Sequence, residues 1–138
     1  SLGEGREGLL VDIGAHDNLM SDGWLNRVRA LLSQKGLPDA TFTPLKQPLG
    51  VEGVGAGAQS AHQCASVQLA LQGGLCATFT APMLASSDIP ALLGLKSLED
   101  KRAIIDVPGR VLHLAGPGDY KVVLPPGRQS FDLSLIHL

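Results

Sequence analysis

Leu9, Leu10, Val11, Asp12, Ile13, Gly14 and Ala15 place one carboxylate at the end of an aliphatic run, just before a glycine and a small residue. Consecutive aliphatic residues fit a buried strand, and the glycine marks its break into a tight loop. A carboxylate in such a place is expensive to desolvate, so it is paired, hydrogen-bonded or kept for chemistry. Two readings of Asp12 stand at this point: a turn former closing a core strand, or an acid–base group. His16 and Asp17 follow closely enough to face the same cleft, or to form a solvated turn pair. Competing chemistry is sparse. His16, His62, His113 and His137 are far apart and lack the Cys-x-x-Cys support of a zinc site, so no metal is expected. The glycines of 50–59 have neither the spacing nor the Lys-Ser/Thr of a phosphate-binding loop, and they do not open a helix as a dinucleotide site requires.

Several elements must position that loop. Ser21 or Asp22 is suited to cap a helix, and from Trp24 the apolar residues Trp24, Leu25, Val28, Leu31 and Leu32 follow a single helical stripe until Gly36 and Pro38 end it. This stripe, Trp24 included, is expected to pack on the core, with Met20 and Met83 as gap fillers. Residues 37–48 carry Pro38, Pro44 and Pro48 and read as a connection with a short edge strand around Thr41, Phe42 and Thr43. Gly53, Val54, Gly55, Ala56 and Gly57 read as a hairpin tip, the kind of backbone a mobile lid needs. From Gly53 to Ser87 the chain holds no Asp, Glu, Lys or Arg. Val67 to Leu71 and Leu75 to Thr80 form a largely covered hairpin there, ended by Pro82. A two-residue turn at Gly73-Gly74 would set Leu71 opposite Cys76, leaving Cys64 too distant for a disulfide. Downstream, Ala91-Leu92-Leu93 is a short buried strand, Gly94 a break, and about 96–102 a short helix. Ile104 to Asp106 and Val111 to Leu114 are strands joined at Pro108-Gly109, with Asp106 as turn former. Tyr120 to Leu124 and Phe131 to Leu138 are further strands, the last an apolar edge that needs cover.

Val11-Asp12-Ile13-Gly14-Ala15, the glycine-rich tip at 53–57 and Ala91-Leu92-Leu93-Gly94-Leu95 together resemble, in order and spacing, a retropepsin-like aspartic peptidase domain. That group includes the retroviral-protease-like domains of cellular DNA-damage-inducible shuttle proteins. The resemblance runs from about Leu9 to Leu114. It implies a mainly β fold, a closed β-barrel or sandwich of the acid protease kind, with one longer helix after the catalytic loop and one short helix. It assigns Asp12 as the catalytic residue, Ile13, Gly14 and Ala15 as the catalytic loop, residues 53–57 as the flap, and His16 and Asp17 as cleft residues near substrate. Asp-x-Gly-Ala occurs once, whereas the chemistry needs two carboxylates sharing a proton. The resemblance therefore implies a homodimer with Asp12 of each subunit at the axis, acting on an extended peptide or protein without a cofactor. Ile13 departs from the usual Thr or Ser, whose hydroxyl bonds across that axis. The alternative is a catalytically impaired retropepsin-like dimerisation or peptide-binding module.

Bulk properties bound the rest. With 138 residues and 44% hydrophobic content the chain is long enough for one domain with its own core. A net charge of -2 with scattered Lys and Arg leaves no footprint for nucleic acid. No apolar run spans a bilayer and no signal-peptide pattern opens the chain. Both cysteines read as small buried hydrophobes of a reducing compartment, so an intracellular, cytoplasmic protein is expected.

Overall fold

The computed structural model describes residues 7–51, 59–70, 76–116, 120–123 and 132–134. The carboxylate follows strand β1 (Gly8–Val11), which leads through the loop at 12–19 to a short strand β2 (Met20–Ser21) and helix α1 (Asp22–Gln34). Ser21 caps α1 as its type demands: its Oγ accepts the Trp24 N–H at 3.1 Å and donates to the Ile89 carbonyl at 2.8 Å. The helical stripe lies inward, with Trp24, Leu25, Val28 and Leu32 buried, each contributing roughly 2 kcal/mol by leaving water. Trp24 meets Phe79 edge to face at 5.7 Å, and its Nε1 donates to the Gly8 carbonyl at 3.0 Å. Arg27 ties the same helix to the buried Glu7 at 3.0 Å and to Asp88 at 2.6 Å. Helix α1 is thereby fixed to the root of β1. Gly36, at φ +67, takes the left-handed turn that ends the helix, and the Leu37 N–H returns to the Leu32 carbonyl at 2.9 Å.

Strands β3 (Thr41–Val51), β4 (Gln59–Ala70) and β5 (Cys76–Leu84) join β2 in a four-stranded sheet of order β2-β5-β4-β3. Here the structure corrects the sequence reading in three ways. The proline-bearing connection is an eleven-residue strand. It tolerates Pro44 and Pro48 because β3 is the sheet edge and because its pairing with β4 jumps between Pro44 and Leu49. Nor does Pro82 end β5, which runs on to Leu84. Thr80, two residues earlier and facing the same way, turns its carbonyl to the Asn18 side chain at 3.2 Å. The missing N–H of Pro82 thus falls on the flank where β2 pairs only from Met83 onward. The third correction is register: Ala70, not Leu71, faces Cys76, and Val67 faces Phe79. Cys64 pairs with Pro82, far from Cys76, and both thiols are free. One face of this hairpin is buried through Ala65, Val67, Leu69, Phe79 and Ala81. The other is not covered: Gln68, Thr78 and Thr80 are exposed, and Ser66 Oγ lies 2.7 Å from Thr80 Oγ1.

The remaining elements are β6 (Ala91–Leu93), α2 (Leu95–Asp100), β7 (Ala103–Asp106), β8 (Val111–Leu114), β9 (Tyr120–Val123) and β10 (Asp132–Ser134). Helix α2 starts one residue earlier than the sequence suggests and also stops earlier, because Arg102 already adopts φ +52. Asp106 shapes the β7–β8 turn, its Oδ1 accepting the Gly109 N–H at 3.0 Å. Strands β7, β8 and β9 form one antiparallel sheet, and β10, β1 and β6 another. Trp24, Val28, Leu9, Val67, Phe79, Leu98 and Leu112 meet in one core cluster between the sheets and helices. Among the described residues no helix is long and apolar enough to cross a membrane.

Candidate active site

Strand β1 owes its position to both neighbours. It runs parallel to β6, with Val11 facing Leu93, and antiparallel to β10, with Leu9 facing Leu133. Asp12 leaves the sheet half-buried at the end of this central strand. Its own N–H still donates to the Leu93 carbonyl at 3.0 Å. The Ala15 N–H closes a tight turn onto the Asp12 carbonyl at 3.2 Å, with Ile13 and Gly14 at the corners. One Asp12 carboxylate oxygen accepts the Gly14 N–H at 2.9 Å. A Cβ on Gly14 would lie 3.2 Å from that oxygen, tighter than ordinary contact.

The far side of the loop is fastened to the junction of β6 and α2. The first N–H groups of α2 have no partners within the helix. The loop supplies them: Leu95 donates to the Ala15 carbonyl at 2.7 Å and Lys96 to that of His16 at 3.0 Å. Gly94 sits so close that a Cβ there would lie 2.5 Å from the Asp17 carbonyl oxygen. Asn18 completes the clamp. Its Oδ1 accepts the Gly94 N–H at 2.8 Å while its Nδ2 donates to the Thr80 carbonyl at 3.2 Å. A mutual pair of bonds between Leu19 and Leu92, at 3.2 and 2.8 Å, secures the exit of the loop.

Asp12, Ile13, Gly14, Ala15, His16 and Asp17 thus form one continuous surface element. Gly14, His16 and Asp17 are exposed, and Ala15 is half-buried. Ile13 is 64% exposed, the largest fraction among the exposed large hydrophobics of the described residues. Gly53, Val54, Gly55, Ala56 and Gly57 lie outside the described residues; the strands on either side of them pair as far as Val51 opposite Gln59. No group of three or more His, Cys, Asp or Glu among the described residues is arranged to hold a metal ion. Asn18 is the site residue that sequence reading passed over. Its signal was an amide side chain at the exit of a loop whose backbone donors and acceptors needed partners.

Chemically, the arrangement holds a half-buried carboxylate at the mouth of a loop that hydrogen bonds fasten to β6 and α2. That suits an acid–base group, which has to be held in place relative to the bond it serves.

No family model matches the sequence, and no curated protein matches it. Eleven chains of solved structures do match. One is the crystal structure of the retroviral protease-like domain of Ddi1 from Leishmania major, with TM-score 0.51 and 18% identity over 85% of this chain and 83% of that one. The fold is retropepsin-like and mainly β, as the resemblance implied.

Proposed function

We propose that the chain is one half of an aspartic endopeptidase that acts as a homodimer and hydrolyses extended peptides or proteins. The observation that supports this reading is the anchoring of the Asp12 loop to β6, Gly94 and α2 by backbone hydrogen bonds and close packing, within a retropepsin-like fold. With one Asp-x-Gly-Ala per chain, a second protomer related by a two-fold axis supplies the other carboxylate. Two like charges so close repel, so the pair works with one proton between them. The ionised member takes a proton from a water molecule as its oxygen attacks the scissile carbonyl carbon, while the protonated member donates to the carbonyl oxygen. Collapse of the tetrahedral intermediate breaks the C–N bond: the carboxyl that took the proton from water gives it to the leaving amine, and a hydroxyl of the intermediate returns a proton to the other carboxylate as the carboxylic acid product forms. Residues 53–57, joining the paired ends of β3 and β4, act as the flap in this reading, and the peptide lies as an added strand beside it. His16 and Asp17, exposed beside the loop, contact the peptide. The free thiols of Cys64 and Cys76 suit a reducing, cytoplasmic setting.

Ile13 favours a second reading, a retropepsin-like dimerisation or peptide-binding module without cleavage, because it brings no hydroxyl to the axis. A mixed-peptide cleavage assay at about pH 5, with and without a statine-type transition-state inhibitor, separates the two. Inhibitor-sensitive cleavage that disappears in Asp12→Asn, with thermal unfolding unchanged, is the expected outcome. Undiminished cleavage by Asp12→Asn refutes the assignment. Silence from both the native chain and Ile13→Thr, with peptide still bound, selects the module.

A further inference from the structure

We infer that Asn18 is a positioning residue that couples the Asp12 loop to the sheet flanking residues 53–57, so that carboxylate and hairpin keep one spacing across a bound peptide. The inference rests on the peptidase reading above and gives Asn18 a part that it plays through its neighbours.

The two arms of the Asn18 amide reach different parts of the molecule. Its Oδ1 accepts the Gly94 N–H at 2.8 Å, at the junction that also holds the Ala15 and His16 carbonyls through Leu95 and Lys96. Its Nδ2 donates to the Thr80 carbonyl at 3.2 Å, in the middle of β5. Strand β2 pairs with β5 only at Met83 and Leu84, and Pro82 has no N–H to offer. The Asn18 amide therefore carries the attachment along β5 from Met83 back to Thr80. Among the described residues it makes the one hydrogen bond from residues 12–18 to that sheet. Thr80 is in turn tied across the sheet. It faces Ser66 on β4, with their hydroxyl oxygens 2.7 Å apart, and Ser66 faces Thr41 on β3. One row thus runs from Asn18 to both strands that flank residues 53–57. Strands paired in this way open and close together. A peptide held between loop and hairpin needs both aligned with its scissile bond, and a misplacement of about 1 Å costs on the order of 100-fold in rate.

Substitution separates the two arms. Asn18→Ala removes both. Asn18→Asp keeps the shape and is ionised at about pH 5, so it accepts from Gly94 and donates nothing to Thr80. Two measurements read the variants well below their melting temperatures: peptide cleavage, and amide hydrogen exchange without peptide. Both variants should lose roughly 10-fold in kcat with KM within about twofold of the native value. The Ala15 N–H, which closes the Asp12 turn, should exchange roughly 10-fold faster in both, as loss of one hydrogen bond predicts.

Where the native chain cleaves, kcat decides. Native kcat in Asn18→Asp, with a loss in Asn18→Ala alone, confines the role of Asn18 to Gly94 and overturns the inference. A rise in KM at unchanged kcat overturns it too, because Asn18 then serves binding. Native kcat and KM in both variants defeat the coupling and leave the proposed function standing. Where the native chain cleaves nothing, the peptidase reading fails and exchange decides: faster exchange at Ala15 in both variants upholds the coupling, and native exchange in Asn18→Asp overturns it.

Discussion

Gly94→Ala tests whether the junction of β6 and α2 holds the Asp12 loop in place. Gly94 has φ -84 and ψ 174, a backbone open to any residue, so the cost of a methyl group there is spatial alone. The new Cβ would sit 2.5 Å from the Asp17 carbonyl oxygen, 2.6 Å from its carbon and 3.0 Å from the Ala15 oxygen. Ordinary contact begins at 3.4 Å, and 3.4 less 2.5 leaves 0.9 Å that backbone must yield. All three atoms are main chain, and no rotamer change relieves them. Overpacking of this kind costs about 1–3 kcal/mol. The same movement strains the bonds of Gly94, Leu95 and Lys96 to the loop, at 2.8, 2.7 and 3.0 Å, each contributing about 1 kcal/mol net. A total near 3 kcal/mol lowers the melting temperature by roughly 10 °C in a chain of this size. If the proposed chemistry holds, a loop displaced by nearly 1 Å also loses about 100-fold in kcat/KM. Calorimetry and the peptide assay check both. Gly50→Ala is the control, since nothing lies within 4 Å of its added Cβ. A Gly94→Ala protein that melts within about 2 °C of the native chain would show that the close approach restrains nothing.

Two further predictions concern the surroundings of the site. The Asp22 carboxylate accepts the N–H groups of Ser87 at 3.0 Å and Ser86 at 2.6 Å, and the Ser87 bond leads in holding its pKa below the ordinary carboxylate value. A group lowered on folding stabilises fully above its unfolded pKa of about 3.9. It loses that contribution as pH falls toward the folded value. Asp22→Asn should therefore flatten the decline in melting temperature on acidification below about pH 4, and parallel profiles for both proteins would exclude the role. Second, a thiol assay on protein never exposed to reductant should count two reactive groups. The exposed Cys76 should react fast. Cys64, whose thiol burial pushes up, should react slowly because less of it is thiolate; equal rates would contradict that environment.

The local parts of the site were legible because local chemistry dictates them. A carboxylate between an aliphatic run and Gly14 has few places to be other than a strand end. Ser21, the stripe from Trp24 and the stop at Gly36 specify α1, and Asp106 with Gly109 specifies its turn. Residues acting over distance were not legible. Asn18 matters because Gly94 and Thr80, 76 and 62 positions away, converge on it. The exposure of Ile13 depends on where α2 pins the turn. The partner of β1 on its second edge is β10, separated by more than a hundred residues. No periodicity in either segment names the other.

The β4–β5 register is a different kind of miss, because the sequence held the answer. Paired residues in an antiparallel hairpin share a constant sum of positions, and a two-residue turn at Gly73 and Gly74 makes that sum odd. An odd sum sets each odd-numbered residue against an even one, which would put Val67 against Thr80 and Leu69 against Thr78. Paired residues share a face of the sheet, so such a register mixes apolar and hydroxyl side chains on both faces. Ala65, Val67 and Leu69 on one strand and Ala77, Phe79 and Ala81 on the other are all odd-numbered. Burying them together requires an even sum, and the structure has it: Ala65 faces Ala81, Val67 faces Phe79 and Leu69 faces Ala77. An expectation drawn from two glycines yields to the burial of five apolar side chains, with Ala77 half-buried beside them. The same shift sets the position along β5 of the Thr80 carbonyl that Asn18 grips. The site's alignment is thus bound to the hydrophobic pattern of a hairpin that contributes no catalytic group.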